Sequence, residues 1–192
     1  MKLLAVGGQS RGVGKTAVTA AIIAATRQLH WTAVKITQDD HRVGARNGPY
    51  SLTRETDSQN GSDTARYLAA GAAEAYWLRT QYGQLAAALP AFDRLVDGRG
   101  HVIVESNSIL DHRQPDLYLP VLDFRNPDCK KSCRTHLPRA SAYVVVNPGG
   151  GPPPWPGVDP ELFQTKPAFL VEPPTYFHPA IAEFVASRIC QF

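Results

Sequence analysis

The chain has 192 residues, with 20 Lys and Arg against 17 Asp and Glu, which gives a formal net charge of +3. This charge is too small to indicate a nucleic-acid partner or an acidic membrane surface, and no apolar run approaches the roughly 20 residues of a membrane span. Three cysteines are an odd number and do not suggest a disulfide framework. We therefore expect one globular, cytoplasmic domain over residues 1–192, large enough to bury its own core.

Short apolar segments alternate with helical ones along the chain. Strands are expected at 2–6, 31–36, 75–78, 101–105, 117–122, 142–146 and 168–171. Helices are expected at 15–28, 62–70, 82–96 with an interruption at Pro90, and 179–190. This order predicts an α/β fold with a doubly wound, mostly parallel sheet and helices on both faces.

Two stretches carry no clear periodic pattern. Residues 37–61 are polar with scattered Gly and a Pro, so we predict a long functional or mobile loop there. Ten of the sixteen prolines lie between Pro148 and Pro179. Because proline fixes its backbone and lacks an N–H group, we predict an ordered surface loop in this region, together with the last strand.

The segment GGQSRGVGKT, between the first strand and the first helix, is close to the phosphate-loop pattern of Gly, four residues and Gly-Lys-Ser/Thr. Gln9 stands where that pattern has its first glycine, and Gly8 comes one residue early. Glycines let backbone N–H groups turn toward an anion, and the start of a helix favours phosphate. Lys15 can reach the β- and γ-phosphates, and Thr16 can ligate Mg²⁺. The predicted nucleotide contacts are Gly8, Gln9, Ser10, Arg11, Gly12, Val13, Gly14, Lys15, Thr16 and Ala17.

Charged residues follow or end two of the predicted strands. Lys35 lies near the end of the second strand with Asp39 and Asp40 after it, and Glu105 ends the most apolar strand. Ligands of open parallel sheets bind beyond the carboxyl ends of the strands. We therefore predict catalytic roles for Lys15, Lys35 and Glu105. The candidate Mg²⁺ ligands are Thr16, Asp39, Asp40 and Glu105, and the choice between the two aspartates stays open.

The purine base is not specified by the sequence, so both ATP and GTP stay open. The usual Asn/Thr-Lys-x-Asp guanine signature is absent. Asn147, at the end of a predicted strand, is a candidate contact to the base. A turn-forming Asn before Pro148 is an equally good interpretation.

The segments VKITQDDH, GSDTARYLAAGAAEAYWL and VIVESNS, with the long-spaced glycine loop, resemble the molybdopterin-guanine dinucleotide biosynthesis adapter proteins among the dethiobiotin-synthetase-like P-loop NTPases. The matching features fall on Lys35, His41, Asp63, 70–72 and Glu105, and the resemblance covers roughly residues 1–125. It implies Mg²⁺-GTP binding, slow hydrolysis and assistance to a cofactor-biosynthesis enzyme, with a homodimer also open. Ser106 replaces the family's glycine after the glutamate, and one histidine remains of its cluster.

Other functions are compatible with the same residues. In a dethiobiotin-synthetase-like ligase or a kinase, Lys35 would hold a substrate carboxylate and Glu105 would face Mg²⁺. A kinase would need an acceptor pocket, for which Ser106, Asn107 and Asp111 are candidates, and a lid, for which residues 42–61 are a candidate. A non-catalytic switch would order that loop on binding nucleotide.

The segment CKKSCRTH contains a group with metal-ligand spacing. Cys129, Cys133 and His136 are spaced like zinc ligands, but no fourth ligand is evident and the surrounding residues are basic. We therefore interpret it as a basic surface segment.

Overall fold

One eight-stranded sheet organises the chain. The computed structural model describes residues 1–39, 48–149, 151 and 155–190. The strands are β1 (Lys2–Gly8), β2 (Thr32–Asp39), β3 (Tyr50–Arg54), β4 (Glu74–Gln81), β5 (His101–Glu105), β6 (Leu117–Asp123), β7 (Tyr143–Asn147) and β8 (Ala168–Leu170). Their order is β3-β4-β2-β5-β1-β6-β7-β8, and every pairing is parallel except that of β3 with β4. The predicted fold class is confirmed.

Helices cover both faces of the sheet. They are α1 (Lys15–Ala25), α2 (Asp63–Ala70), α3 (Leu85–Val96), α4 (Lys131–His136) and α5 (Pro179–Ile189). One buried cluster joins the sheet to α1, α2 and α5, and a second joins it to α3 and α4. Among the described residues, no helix has the length and apolar character needed to cross a membrane.

Local capping explains why α2 forms where it was predicted. The Ser62 hydroxyl accepts a hydrogen bond from the Ala65 N–H at 3.0 Å, which satisfies one of the free amides of the first turn. The helix ends at Gly71, whose φ of 103° lies in the left-handed region that glycine adopts at low cost.

The predicted interruption at Pro90 was wrong. Pro90 lies inside α3, which continues to Val96. Proline removes one helical hydrogen bond, at a cost of about 3 kcal/mol. Leu85, Phe92 and Val96 are buried on the same side of the helix, and their burial offsets that cost.

The predicted loop over 37–61 was only partly right, since strands occupy 37–39 and 50–54 of its described part, while 55–61 lie in neither a helix nor a strand. β2 continues to Asp39, and β3 pairs with the edge of β4. Because β3 is an edge strand with exposed residues, its sequence lacks the apolar run by which the buried strands were predicted. The region 148–179, by contrast, contains an ordered aromatic group, since Trp155 is buried and packs edge-on against Phe124 and Phe163.

Candidate functional site

The loop between β1 and α1 is shaped by its glycines. We call residues 8–16 the glycine loop. Gly12 and Gly14 have φ angles of 79° and 100°, which side-chain-bearing residues rarely adopt. A Cβ atom on Gly8 would lie 2.6 Å from Cγ of Lys15, so the lysine side chain runs directly over Gly8. The loop therefore turns back over its own start, and Lys15 is folded across it.

The Lys15 ammonium group has a backbone partner in the glycine loop. Its Nζ atom donates a hydrogen bond to the Ser10 carbonyl at 2.7 Å. Burial lowers the pKa of Lys15, and the nearby Glu105 carboxylate opposes this shift only in part. A partly desolvated ammonium of this kind is stabilised when an anion comes within contact distance.

Glu105 connects the glycine loop to the neighbouring strand. Its Oε2 atom accepts a hydrogen bond from the Thr16 hydroxyl at 2.8 Å, and its Oε1 atom lies 2.8 Å from Nζ of Lys35. The glutamate is buried, with 4% of its surface exposed. Three predicted site residues are thus in direct contact at the carboxyl ends of the strands.

Two further residues complete this cluster. Asp63, the first residue of α2, lies 2.6 Å from Nζ of Lys35, and the buried Tyr67 hydroxyl donates a hydrogen bond to Glu105 Oε2. Burial alone would lower the pKa of Lys35, but the two carboxylates raise it. Burial, followed by the charge of Glu105, raises the pKa of Tyr67 well above its usual value. The lysine is therefore charged and the phenol neutral near pH 7.

The oxygen atoms of this cluster fit a hard divalent cation. A threonine hydroxyl next to a carboxylate offers the ligand type that Mg²⁺ prefers. Asp39 lies apart from them, with its carboxylate 3.7 Å from the guanidinium of Arg79. Asp40 and His41 lie outside the described residues. Asp63, which had not been a predicted ligand, is the aspartate that approaches Lys35.

Gln9 and Gly8 bind within the protein. The Gln9 side chain is fully buried, donates to the carbonyls of Asn126 and Asp128, and accepts from the Asp123 N–H. The Gly8 N–H and C=O both bind the side-chain amide of Asn107, at 2.8 Å each. These contacts hold the base of the loop. The Gly8 N–H and the Gln9 side-chain amide are therefore already hydrogen-bonded within the protein, whereas both residues had been predicted to contact nucleotide.

The other predicted nucleotide contacts differ in exposure. Arg11 and Gly12 are exposed, Val13 is buried, and Ser10, Gly14 and Ala17 are half-buried. Asn147 ends β7, where its carbonyl accepts a hydrogen bond from the Phe124 N–H at 2.9 Å. Its side chain has no hydrogen-bond partner among the residues that the structure describes.

The acceptor pocket predicted from Ser106, Asn107 and Asp111 does not form. Asn107 binds Gly8, and Asp111 lies 2.9 Å from the His136 ring. A cavity of about 280 Å³ lies instead beside the cluster and is lined by Lys35, Gly61, Ser62, Asp63, Thr64 and Trp77. A cavity of about 380 Å³ lies elsewhere, and none of the predicted site residues is in its walls. The smaller cavity is therefore the candidate binding site, because Lys35 lies in its wall.

The segment with metal-ligand spacing is not a simple surface segment. Cys133 and His136 are buried, with 0% and 5% of their surface exposed. The His136 ring is hydrogen-bonded to the Asp111 carboxylate. In the described part of the chain, no three His, Cys, Asp or Glu side chains gather as metal ligands. The basic residues around the cysteines had suggested exposure, but the short helix α4 packs Cys133 into the second core.

Comparison with known proteins identifies the fold. No protein-family model and no curated protein matches the sequence. Among solved structures, the chain is similar to the "apo" form of LpxK from Aquifex aeolicus in complex with ATP, with a TM-score of 0.53 and 15% sequence identity. The match covers 88% of this chain and 53% of that chain, so this chain spans about half the length of its structural neighbour. The chain therefore shares the α/β fold of this neighbour.

Proposed function

We propose that the chain binds a purine nucleoside triphosphate, ATP or GTP, with Mg²⁺ on the glycine loop. The main observation that supports this proposal is the contact of Glu105 with both Thr16 and Lys35 beside that loop. The bound ATP of the structural neighbour adds support. Thr16 and Glu105 would hold Mg²⁺, which when bound supplies charge neutralisation at phosphate oxygens. Lys15 would exchange its bond to the Ser10 carbonyl for a phosphate oxygen.

We expect hydrolysis by this site to be slow. Both carboxylate oxygens of Glu105 accept hydrogen bonds from the protein, so the group is not a free base for water. Slow turnover suits the accessory role that the resemblance to molybdopterin-guanine dinucleotide biosynthesis adapters implies. In that role the nucleotide-bound chain would assist a cofactor-biosynthesis enzyme.

Thermal unfolding of the chain with ATP, GTP, ADP and GDP tests the binding proposal. A ligand that binds the native state raises the melting temperature. We expect stabilisation by Mg²⁺ with ATP or GTP, and the better of the two identifies the base. The absence of any shift, confirmed by calorimetric titration, would overturn the proposal.

A phosphoryl-transfer enzyme is the second candidate. The observation that favours it is the cavity beside Lys35, which is partly lined by the Asp63 carboxylate. An acceptor hydroxyl in this cavity would face a carboxylate able to take up its proton, and Lys35 would stabilise charge on the transferred group. Release of inorganic phosphate in the presence and absence of candidate acceptors distinguishes this enzyme from a slow hydrolase.

A further inference from the structure

An aromatic ring from the C-terminal part of the chain lies against the glycine loop. Tyr176 belongs to the turn between β8 and α5, and a Cβ atom placed on Gly14 would lie 2.5 Å from its Cε1 atom and 2.8 Å from its Cδ1 atom. Gly14 directly precedes α1, so the ring lies at the helix end whose free N–H groups favour phosphate. Tyr176 therefore stands beside the proposed phosphate site, although no sequence motif connects the two.

The turn that carries Tyr176 holds the ring in place. The backbone of Tyr176 has a φ of 48°, in the left-handed region that residues with a side chain seldom occupy. Its N–H donates a hydrogen bond to the Glu172 carbonyl at 2.9 Å, and the Thr175 hydroxyl donates to the same carbonyl at 3.1 Å. The ring is half-buried and packs against the buried cluster that joins the sheet to α1 and α5. Residues in such a conformation persist where the surrounding structure holds them, and they are concentrated at ligand sites.

The fold places Tyr176 and the Glu105 cluster on opposite sides of α1. The helix α2, which carries Asp63 and Tyr67, packs against α1 and β2. The helix α5, which follows the turn of Tyr176, packs against α1 and β6. In the sheet, β2 and β6 lie on either side of the central pair β5 and β1. Glu105 and its partners therefore lie on the α2 side of the glycine loop, and Tyr176 lies on the α5 side.

This arrangement gives a direction to a nucleotide bound as proposed. Thr16 and Glu105 would hold Mg²⁺, which bridges the terminal phosphates of a nucleoside triphosphate. The terminal phosphates would therefore lie on the α2 side, and the nucleoside would leave the loop on the α5 side. At that end of the sheet, the Val171 N–H donates to the Val145 carbonyl at 2.9 Å, which keeps the ends of β7 and β8 side by side. Ligands of open parallel sheets bind beyond such strand ends.

We propose that Tyr176 is a nucleotide-binding residue whose ring packs against the nucleoside, and not against the terminal phosphates, on the α5 side of the glycine loop. Its role rests on the proposed function, because it needs a nucleotide on that loop. An aromatic ring packs on any base, since every base has a π-face. The contact with Tyr176 therefore adds affinity for ATP and GTP alike and does not select between them.

Calorimetric titration with two ligands tests this contact. The ligands are the Mg²⁺-nucleotide and Mg²⁺-tripolyphosphate, which has the phosphate chain but no nucleoside. We expect Tyr176→Ala to bind the nucleotide about tenfold more weakly and to keep its affinity for tripolyphosphate within about twofold. Tyr176→Phe should bind both ligands like the unmodified chain, because the ring remains. Tyr82→Ala is the control, since Tyr82 has 75% of its surface exposed and precedes α3.

Each other outcome of the titration has a distinct meaning. Equal losses for nucleotide and tripolyphosphate in Tyr176→Ala would show that the ring only shapes the loop, and no loss would show that it does not touch the nucleotide. Either result overturns the role of Tyr176 and leaves the proposed function intact. An unmodified chain that binds neither ligand would overturn both.

Photolabelling of the unmodified chain does not depend on how well a variant folds. The probe is the 8-azido analogue of the nucleotide that binds, which reacts with protein groups next to the base on illumination. We expect the label on residues 172–178, and we expect excess unmodified nucleotide to prevent it. A label confined to other segments of the chain would overturn the role of Tyr176.

Discussion

The Thr16 hydroxyl donates a hydrogen bond of 2.8 Å to the Glu105 carboxylate, joining two residues that are 89 positions apart in the chain. They meet because β1 and β5 are parallel neighbours in which Val6 lies opposite Glu105. On the other side of β5, the register places Lys35 opposite the same glutamate. The Glu105 carboxylate, at the carboxyl end of the central strand β5, therefore contacts residues on both sides of that strand.

Lys15→Ala should remove nucleotide binding without unfolding the chain. The ammonium contacts only the Ser10 carbonyl in the described structure, so its loss leaves no buried charge unpaired. We expect the affinity for Mg²⁺-nucleotide, measured by calorimetric titration, to fall by about 100-fold or more. Lys2→Ala is the matched control, because Lys2 lies at the opposite end of β1 and pairs with Asp116. Equal affinities of Lys15→Ala and the unmodified chain would contradict the role of the glycine loop.

Glu105→Gln should slow hydrolysis more than it weakens binding. The amide keeps the size of the carboxylate but removes the charge that faces Thr16 and Lys35. We expect the rate constant of hydrolysis to fall by about 100-fold, while the dissociation constant changes by less than about threefold. The exposed Glu161 provides a control in Glu161→Gln. Equal losses in both constants would indicate a structural role.

The order of strands and helices was predictable because each buried strand of the sheet is a short apolar run. The glycine loop was recognisable because its glycines, Lys15 and Thr16 all lie within the short segment 8–16. The contact of Asp63 with Lys35 could not be predicted, because it depends on how α2 packs beside β2. Nor could the sequence reveal that Gln9, at a loop position, is buried and bonded to a distant segment.

Lys35→Met should destabilise the fold through Glu105. Lys35 has 13% of its side chain exposed, and its removal leaves a buried carboxylate without its cationic partner. We expect the free energy of unfolding, measured with urea, to fall by about 3 kcal/mol. The double variant Lys35→Met with Glu105→Gln should regain most of that loss, because no buried charge then remains. Strictly additive effects of the two substitutions would argue against the pairing.

The stabilising effect of Lys35 should also depend on alkaline pH. Because the folded chain raises the pKa of Lys35 above its ordinary value of 10.5, the stabilisation is complete below pH 10.5 and declines as the pH rises through the folded value. The difference in unfolding free energy between the unmodified chain and Lys35→Met should therefore stay constant at neutral pH. It should shrink only at strongly alkaline pH. A difference that already shrinks near neutral pH would contradict a raised pKa.

Glu55→Gln should loosen the turn that forms one wall of the cavity beside Lys35. The Glu55 carboxylate accepts hydrogen bonds from the hydroxyls of Ser62 and Thr64, at 2.8 Å each, and from the backbone of residues 56–57. These hydrogen bonds lower the pKa of Glu55 from 4.5 to about 2. We expect Glu55→Gln to exchange its amides at 56–64 about tenfold faster than the unmodified chain at neutral pH. Glu183→Gln, on the exposed side of α5, is the control.

Acidification of the unmodified chain should reproduce the effect of that substitution. A carboxyl group with a lowered pKa in the folded state stabilises above its ordinary value and loses that effect as the pH falls through the folded value. For Glu55 this window runs from 4.5 down to about 2. Protection of the 56–64 amides, corrected for the pH dependence of intrinsic exchange, should therefore decline across this window in the unmodified chain and stay flat in Glu55→Gln. Parallel declines in both proteins would mean that another group controls the turn.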